Sequence, residues 1–257
     1  MGKRIKFANH EIYHVYNRGA DKRRIFFNDA DRLRFLHGLF IFNDAYSSNV
    51  NLSRQFNNFP GQVVDGVPDV YGSRGHTPRE PLVEILAFTL MPNHFHLLLR
   101  QHAENGIASF MQKLGTGYTL YFNQKHKRSG CLFQGKFKAV HIETEAQLRH
   151  IPFYIHSNPL SLCKNGEKPE KFLESYCWSS HRDYCGLKNF ASITQRNFLT
   201  DLFGGEAEYK HSITQWIKDR KGNGRAVAGI ALEAVGAAMV VLPWFLQPVC
   251  DALTCSL

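Results

Sequence analysis

The chain has 257 residues, of which 44% are hydrophobic and 21% are charged. This balance supplies a packed core for one large domain, or for a domain with an appendage, and it excludes a globally disordered protein. The formal net charge of +9 favours a polyanionic partner, most often a nucleic acid. The alternative is a merely basic soluble protein, which the charge alone leaves open.

The six cysteines and the N-terminus bear on the cellular compartment. No two cysteines form a C-x-x-C pair, which argues against a zinc knuckle or ribbon. The first residues are basic and polar and do not form a cleavable signal. We therefore expect a cytoplasmic protein whose thiols are reduced.

The hydrophobic pattern of the first third predicts strands and one helix around an irregular segment. Glu11 to Asn17 is rich in aromatic and β-branched residues and predicts the first strand. Capping residues at 28–31 predict a helix that runs to about Ala45. Residues 46–81 lose periodicity and contain many glycines and prolines, which indicates an irregular insertion. Val83 to Leu90 predicts the second strand.

A short apolar run that contains two histidines follows the second strand. Met91, Pro92 and Asn93 are expected to form the turn of a hairpin, with His94 and His96 on the next strand. Because side chains alternate along a strand, both histidines should face the same layer. Two adjacent imidazoles are two thirds of a metal site, although an H-x-H pair by itself is more often two ordinary histidines.

The rest of the chain is predicted to be largely helical. A heptad-like apolar pattern predicts a helix over residues 104–125, and residues 133–142 predict another strand. Thr144 and Gln147 form a capping box that starts a helix, which must stop near Pro159 and which Pro152 should kink or shorten at its start. Further helices are expected within residues 194–221, before an apolar tail at 226–257.

The helix that begins at the capping box carries a tyrosine and an asparagine four residues apart. Tyr154 and Asn158 therefore lie on one face of it. If this face packs beside the histidine strand, the Asn158 carbonyl oxygen is within reach of a divalent cation, and the Tyr154 phenol lies one turn away. A free phenol has a pKa near 10, which a nearby cation would lower. Such an arrangement suits attack on a phosphodiester.

Four stretches, in this order, resemble the single-tyrosine HUH transposases, and most closely their REP-associated tyrosine transposase branch. The resemblance covers roughly residues 6–184 and is specific because the motifs occur together. The stretches are Pro92-Asn93-His94-Phe95-His96-Leu97-Leu98, residues 118–123 with 130–138, Tyr154-Ile155-His156-Ser157-Asn158-Pro159, and Tyr176-Cys177-Trp178-Ser179-Ser180. Pro152 and Phe153 depart from the family, which often has a basic residue there.

The resemblance implies an α+β class with a ferredoxin-like antiparallel sheet and helices packed on it. It implies His94 and His96 as metal ligands, Asn158 as a third ligand, Tyr154 as the nucleophile, and Mg²⁺ or Mn²⁺ as the cofactor. The implied reaction cleaves single-stranded or hairpin DNA, leaves a 5′-phosphotyrosine and a free 3′-OH, and rejoins strands by the reverse attack. Related enzymes include dimers and monomers, so a homodimer is an open expectation, and the protein would associate with the nucleoid when bound to DNA.

Two basic groups are candidates for phosphate contacts. The first, which we expect to bind DNA, comprises Lys125, Lys127, Arg128, Lys136 and Lys138, with Phe133 and Phe137 in the core. The second lies near the first strand and comprises Lys3, Arg4, Lys6, Arg18, Lys22, Arg23 and Arg24. The alternative for both groups is a solvated basic surface.

We expect a transposase-like domain over residues 1–190 and a C-terminal extension over residues 191–257. The extension combines helices with the apolar tail, which is not expected to span a membrane because Glu233 lies inside it and no basic anchor follows. Two functional alternatives stay open. One is a catalytically inactive nucleic-acid-binding regulator on the same fold, and the other is a metal-dependent phosphoester hydrolase in which Tyr154 only orients the substrate.

Overall fold

The computed structural model describes residues 6–45 and 80–222. Nearly all of the predicted insertion at 46–81 lies outside the described residues, as do the apolar tail and the first two members of the second basic group, Lys3 and Arg4.

A four-stranded sheet forms the centre of the fold. Its strands are β1 (Ile12–Arg18), β2 (Val83–Met91), β3 (His94–Gln101) and β4 (Lys138–Ile142), in the order β2-β3-β1-β4. All three pairings are antiparallel. In the described residues, one helix follows β1 before β2, and a second helix connects β3 to β4, which gives the ferredoxin-like arrangement. The predicted α+β fold class is therefore confirmed.

Seven helices accompany the sheet in the described ranges, together with two short 3₁₀ segments, Ala20–Lys22 and Asn158–Leu162. The helices are α1 (Asp29–Ile41), α2 (Gly106–Lys125), α3 (Glu145–Ser157), α4 (Pro169–Ser175), α5 (His181–Tyr184), α6 (Asn197–Phe203) and α7 (Glu206–Gly222).

The helices cover both faces of the sheet. On one face, α1 and α2 bury a core that includes Phe35, Leu97 and Phe110. On the other face, α3 packs with α6 and α7 in a second core that includes Leu98 and Ile155. The helical residues Leu199, Tyr209, Ile213 and Ile217 belong to this second core, so helices that follow residue 190 complete the same fold.

Capping residues set the bounds of two helices as the sequence predicts. Asn28 and Asp31 form a capping box at the start of α1, and Thr144 and Gln147 form one at the start of α3. Helix α3 begins immediately after its N-cap residue, Thr144, and continues through Pro152 to Ser157, so the proline does not shorten its start.

The strand predicted over residues 133–142 is shorter than expected. β4 begins at Lys138 because the preceding residues turn: Gly135 has a φ of 99°, and the Gln134 amide donates to the Arg18 carbonyl at 2.8 Å. A left-handed residue interrupts the extended backbone that a strand requires. Helix α1 also ends earlier than predicted, at Ile41.

Gly106 provides a test of how tightly the start of α2 packs against Leu82, the residue before β2. A Cβ at Gly106 would lie 2.1 Å from the Leu82 carbonyl oxygen, so Gly106→Ala must displace backbone. We expect it to lower the free energy of unfolding by about 1–3 kcal/mol. Gly115→Ala in the same helix is the control, since nothing lies within 4 Å of its Cβ and alanine should stabilise it by about 0.5–1 kcal/mol. Urea unfolding of both variants measures this, and equal stabilities would contradict the packing described.

None of the helices in the described ranges is both long and apolar enough to cross a lipid bilayer.

Candidate active site

The histidines of β3 share one face of the sheet with three side chains of β1. Arg18 pairs directly with His94, and Tyr16 pairs with His96. His14, which pairs with Leu98, lies two residues further along β1. Directly opposite residues of antiparallel strands project to the same side. The five side chains therefore form a polar surface at one end of the sheet.

Helix α3 lies over this surface and brings the predicted tyrosine to the histidines. The Tyr154 ring stands edge-on to His14 and His96, with centroid distances of 5.7 and 5.6 Å. The residue is 7% exposed. The conditional expectation that the tyrosine face of this helix packs beside the histidine strand is met.

A chain of hydrogen bonds joins His94 to the end of α3. His94 Nδ1 lies 2.7 Å from Asn93 Oδ1, and its side chain is also hydrogen-bonded to that of Asn158. The Asn158 amide nitrogen donates to the Tyr154 carbonyl oxygen at 2.8 Å. Because Asn158 directly follows the last residue of α3, the helix end places its amide against His94.

One ring nitrogen of His96 has a hydrogen-bond partner, and the other has none in the described residues. Its Nδ1 lies 2.8 Å from His14 Nε2. Its Nε2 is buried and has no hydrogen-bond partner among the described residues. A buried imidazole nitrogen without a partner is suited to ligate a cation. The described residues contain no group of three His, Cys, Asp or Glu side chains arranged for a metal, so a third ligand from this part of the chain would be of another type, such as the Asn158 amide.

Burial keeps the imidazoles neutral. Desolvation lowers the pKa of His94 to about 4, with the Arg18 charge adding to the effect and the Asn158 hydrogen bond opposing it. Desolvation also lowers the pKa of His14 to about 3 and that of His96 well below its ordinary value. Neutral imidazole is the form that binds metal ions. The donor set of two neutral imidazoles and an amide oxygen thus fits a small divalent cation.

Sequence reasoning did not assign three residues of this surface to the site. From the sequence, Arg18 is assigned only to the second basic group, and His14 and Tyr16 are not assigned to the site. Their common spacing of two residues predicts a shared face of β1. The residues of β3 that lie opposite these three side chains depend on the register of the two strands, and the spacing within β1 does not determine that register.

Three loops, two of which carry basic residues, meet at the His94 end of the sheet. The Gly19 amide donates to the Asn93 carbonyl at 2.9 Å, and the Ile25 amide donates to the Pro92 carbonyl at 2.9 Å. The Ala20 amide donates to the Leu132 carbonyl at 2.9 Å, which joins the loop before β4. We call the exposed basic residues of these loops and of the β4 start the basic rim, namely Lys22, Arg23, Arg24, Lys136 and Lys138.

Lys138 belongs to both the rim and the polar surface, because it pairs with Tyr16 across β1 and β4 and so projects to the same side. Lys127 and Arg128 lie in the turn after α2, where the Arg128 guanidinium covers the Phe122 ring at 5.6 Å. Phe122 in turn contacts Phe27, just beyond the rim loop.

Lys125, predicted to contact DNA, has an internal partner. Its ammonium lies 2.7 Å from Asp31 Oδ1, 3.0 Å from the Tyr121 hydroxyl and 3.1 Å from Asn28 Oδ1. Asp31 is fully buried, and removing its cation would leave an uncompensated charge. The structure thus gives Lys125 a role in fastening α2 to the start of α1, and it is not part of the interface proposed below.

His156 faces away from the histidines, as its position two residues after Tyr154 predicts. It is fully buried, with Nδ1 at 2.5 Å from the Tyr209 hydroxyl and Nε2 at 2.7 Å from Ser180 Oγ. Ser180 also accepts a hydrogen bond from the Phe88 amide at 2.9 Å. This network ties α3 to α7 and to β2, and it holds the tyrosine helix in place.

Comparisons with known proteins agree with the region of the site. Residues 77–158 match the family model described as IS200-like transposase, and this range contains both β3 histidines, Tyr154 and Asn158. A solved structure of a REP-associated tyrosine transposase bound to a REP hairpin is similar at 14% sequence identity with a TM-score of 0.46, over 74% of this chain and 89% of that one. No curated protein was found to be similar in sequence.

Proposed function

We propose that this chain is a metal-dependent transposase of the IS200-like family, and of its REP-associated branch, that cleaves and rejoins single-stranded or hairpin DNA. The match of residues 77–158 to the IS200-like family model supports this proposal. The observation that carries this proposal is the meeting of Tyr154, His94, His96 and Asn158 on one face of the sheet. These residues are far apart in the chain, and each is weak alone, but together they form a nucleophile beside a cation-binding set.

Tyr154 is the nucleophile in this proposal. Its phenol oxygen attacks the phosphorus of a phosphodiester, a bond from phosphorus to the tyrosine oxygen forms, and the bond from phosphorus to the 3′ oxygen breaks. The phenol loses its proton and the departing 3′ oxygen gains one. The product is a 5′-phosphotyrosine and a free 3′-OH. Attack by a 3′-OH on the phosphotyrosine reverses the step, so no external energy source is needed.

His94, His96 and Asn158 would hold Mg²⁺ or Mn²⁺. Such a cation, when bound, polarises the phosphate and stabilises negative charge on its oxygens. The protein's part is to present two neutral imidazoles from a rigid strand and an amide from the end of α3, which is the kind of support that a precise site needs.

Arg18 supplies fixed positive charge to the same surface. It lies opposite His94 in the β1–β3 pairing, and its charge contributes to the lowered pKa of both β3 histidines. Its Nε is buried without a hydrogen-bond partner in the described part of the chain. A guanidinium matches phosphate oxygens in geometry and charge. We assign it to binding the phosphate that Tyr154 attacks.

The basic rim would hold the DNA on either side of that phosphate. Its residues come from loops that converge on the histidine end of the sheet, so a strand lying across the loops passes over the site. Contacts of lysine and arginine with phosphates provide sequence-independent affinity that falls as salt rises.

A denaturing gel tests the proposed function. Labelled single-stranded hairpin oligonucleotides are incubated with the protein and Mn²⁺ or Mg²⁺, with a chelator control. Label that migrates with the denatured protein only in the presence of metal is the expected result. Cleavage with turnover and no adduct would indicate the hydrolase alternative and contradict the tyrosine mechanism.

The catalytically inactive binding regulator is the second candidate, and one observation favours it. Tyr154 is 7% exposed and packed edge-on against two histidines, so little of its side chain is open to an approaching phosphate. Tight binding without an adduct, across a broad pool of oligonucleotides and both metals, would establish this candidate instead.

The rim can be tested by salt dependence. Replacing Lys136 and Lys138 with glutamine removes two exposed charges beside the site. We expect the slope of log affinity against log salt for single-stranded DNA to become shallower by about 0.7 for each charge lost. Lys218→Gln, an exposed position on α7, is the control and should leave the slope unchanged. Fluorescence anisotropy at several salt concentrations measures it, and parallel slopes for the double variant and wild type would remove these lysines from the interface.

A further inference from the structure

His14 and His96 form a hydrogen-bonded pair of buried imidazoles on adjacent strands. Both are fully buried, and their rings are stacked with centroids 5.0 Å apart and planes inclined by 14°. His14 Nε2 lies 2.8 Å from His96 Nδ1. The remaining nitrogens, His14 Nδ1 and His96 Nε2, are buried and have no hydrogen-bond partner in the described ranges.

A hydrogen bond between two neutral imidazoles has two arrangements, because each ring carries one N–H and one lone pair. In the first, His96 Nδ1–H donates to His14 Nε2, and His96 Nε2 keeps its lone pair. In the second, His14 Nε2–H donates to His96 Nδ1, and His96 Nε2 then carries the proton. Only the first arrangement leaves His96 able to bind a cation through Nε2.

A cation at His96 Nε2 changes the relative stability of the two arrangements. Each leaves one buried N–H and one buried lone pair without a partner, so neither is favoured by hydrogen bonding inside the pair. A cation at His96 Nε2 satisfies the unpartnered lone pair of the first arrangement, whereas it is repelled by the proton of the second. Histidines that bind metals usually donate their other N–H to a fixed acceptor for this reason.

We propose that His14 is a positioning residue that accepts the Nδ1–H of His96 and so directs the Nε2 lone pair of His96 at the bound cation. This inference rests on the metal site of the proposed function. His14 itself contacts neither cation nor DNA.

The surroundings of the pair support this role. The Tyr154 ring stands edge-on to both imidazoles, and the Tyr16 ring lies 5.1 Å from His14 and 5.9 Å from His96. These rings pack around both imidazoles. The hydrogen bond observed at His96 Nδ1 is the one that it shares with His14 Nε2.

Two substitutions separate hydrogen bonding from packing. His14→Gln keeps a side-chain carbonyl oxygen near the position of Nε2, whereas His14→Leu keeps a comparable volume and removes the acceptor. Mn²⁺ affinity is measured by calorimetry or electron paramagnetic resonance, without DNA. We expect His14→Leu to weaken binding about 10–100-fold and His14→Gln to stay close to wild type. Wild-type affinity in His14→Leu, or an equal loss in both variants while both remain folded, would overturn the proposal.

The tautomers can be observed directly by ¹⁵N NMR of the imidazoles, with the two variants assigning the signals. We expect wild type loaded with Mg²⁺, which is diamagnetic, to show His96 protonated at Nδ1 and His14 protonated at Nδ1. A proton on His14 Nε2 in the loaded protein would overturn the proposal. This measurement also separates the two failures. If wild type binds no Mn²⁺, the metal site of the proposed function is wrong and the positioning role falls with it, whereas if wild type binds Mn²⁺ and His14 Nε2 carries the proton, only the positioning role is wrong.

Discussion

Replacing Tyr154 with phenylalanine is expected to abolish covalent attachment of DNA while leaving DNA binding intact. The substitution removes only the hydroxyl that would become bonded to phosphorus, and the ring keeps its edge-on contacts with His14 and His96. The fold should persist, because loss of one hydroxyl at a partly buried ring costs about 1 kcal/mol. The denaturing gel with labelled hairpin DNA reports the adduct, and anisotropy reports the binding.

Tyr16→Phe is the matched control for this experiment. Tyr16 lies on the same face, with its ring 5.9 Å from that of His96, and it is also nearly buried at 6% exposure. It should form the adduct as wild type does. An adduct that survives in Tyr154→Phe and disappears in Tyr16→Phe would transfer the nucleophile from α3 to β1.

His94→Ala is expected to remove metal-dependent cleavage. Loss of a side chain that supports a metal site without touching the ion costs about 10–100-fold in affinity or activity, and loss of a ligand should cost at least the upper end of that range. His94 suits the test better than His96, since His96 is fully buried and its removal would leave a cavity beside His14. Cleavage rate against Mn²⁺ concentration is the measurement.

The control for that variant is His102→Ala, one residue beyond the opposite end of β3. Its imidazole side chain is 49% exposed and lies near Glu84, not near the tyrosine. Cleavage by His102→Ala should match that of wild type. If His94→Ala cleaves DNA at the wild-type rate and with the wild-type dependence on metal concentration, His94 is not a ligand of the cation.

Much of the local structure could be predicted from short-range rules. The capping boxes of α1 and α3 lie where the sequence predicts them, because the interacting side chains are three residues apart. The common face of His94 and His96 follows from the alternation of a strand. Local rules failed where a longer-range contact intervened, as in the residues before β4, which bond to the end of β1 instead of extending the strand.

The sequence by itself determined which residue types were available for chemistry and how those within one element were oriented, because helix and strand periodicity are properties of the local backbone. Only the tertiary structure decided which elements meet. The β1–β3 register places His14 against His96 and Arg18 opposite His94. The packing of α2 on α1 pairs Lys125 with the buried Asp31, a partner that the sequence does not predict. These outcomes depend on contacts between residues 76 to 94 positions apart, which no local pattern encodes.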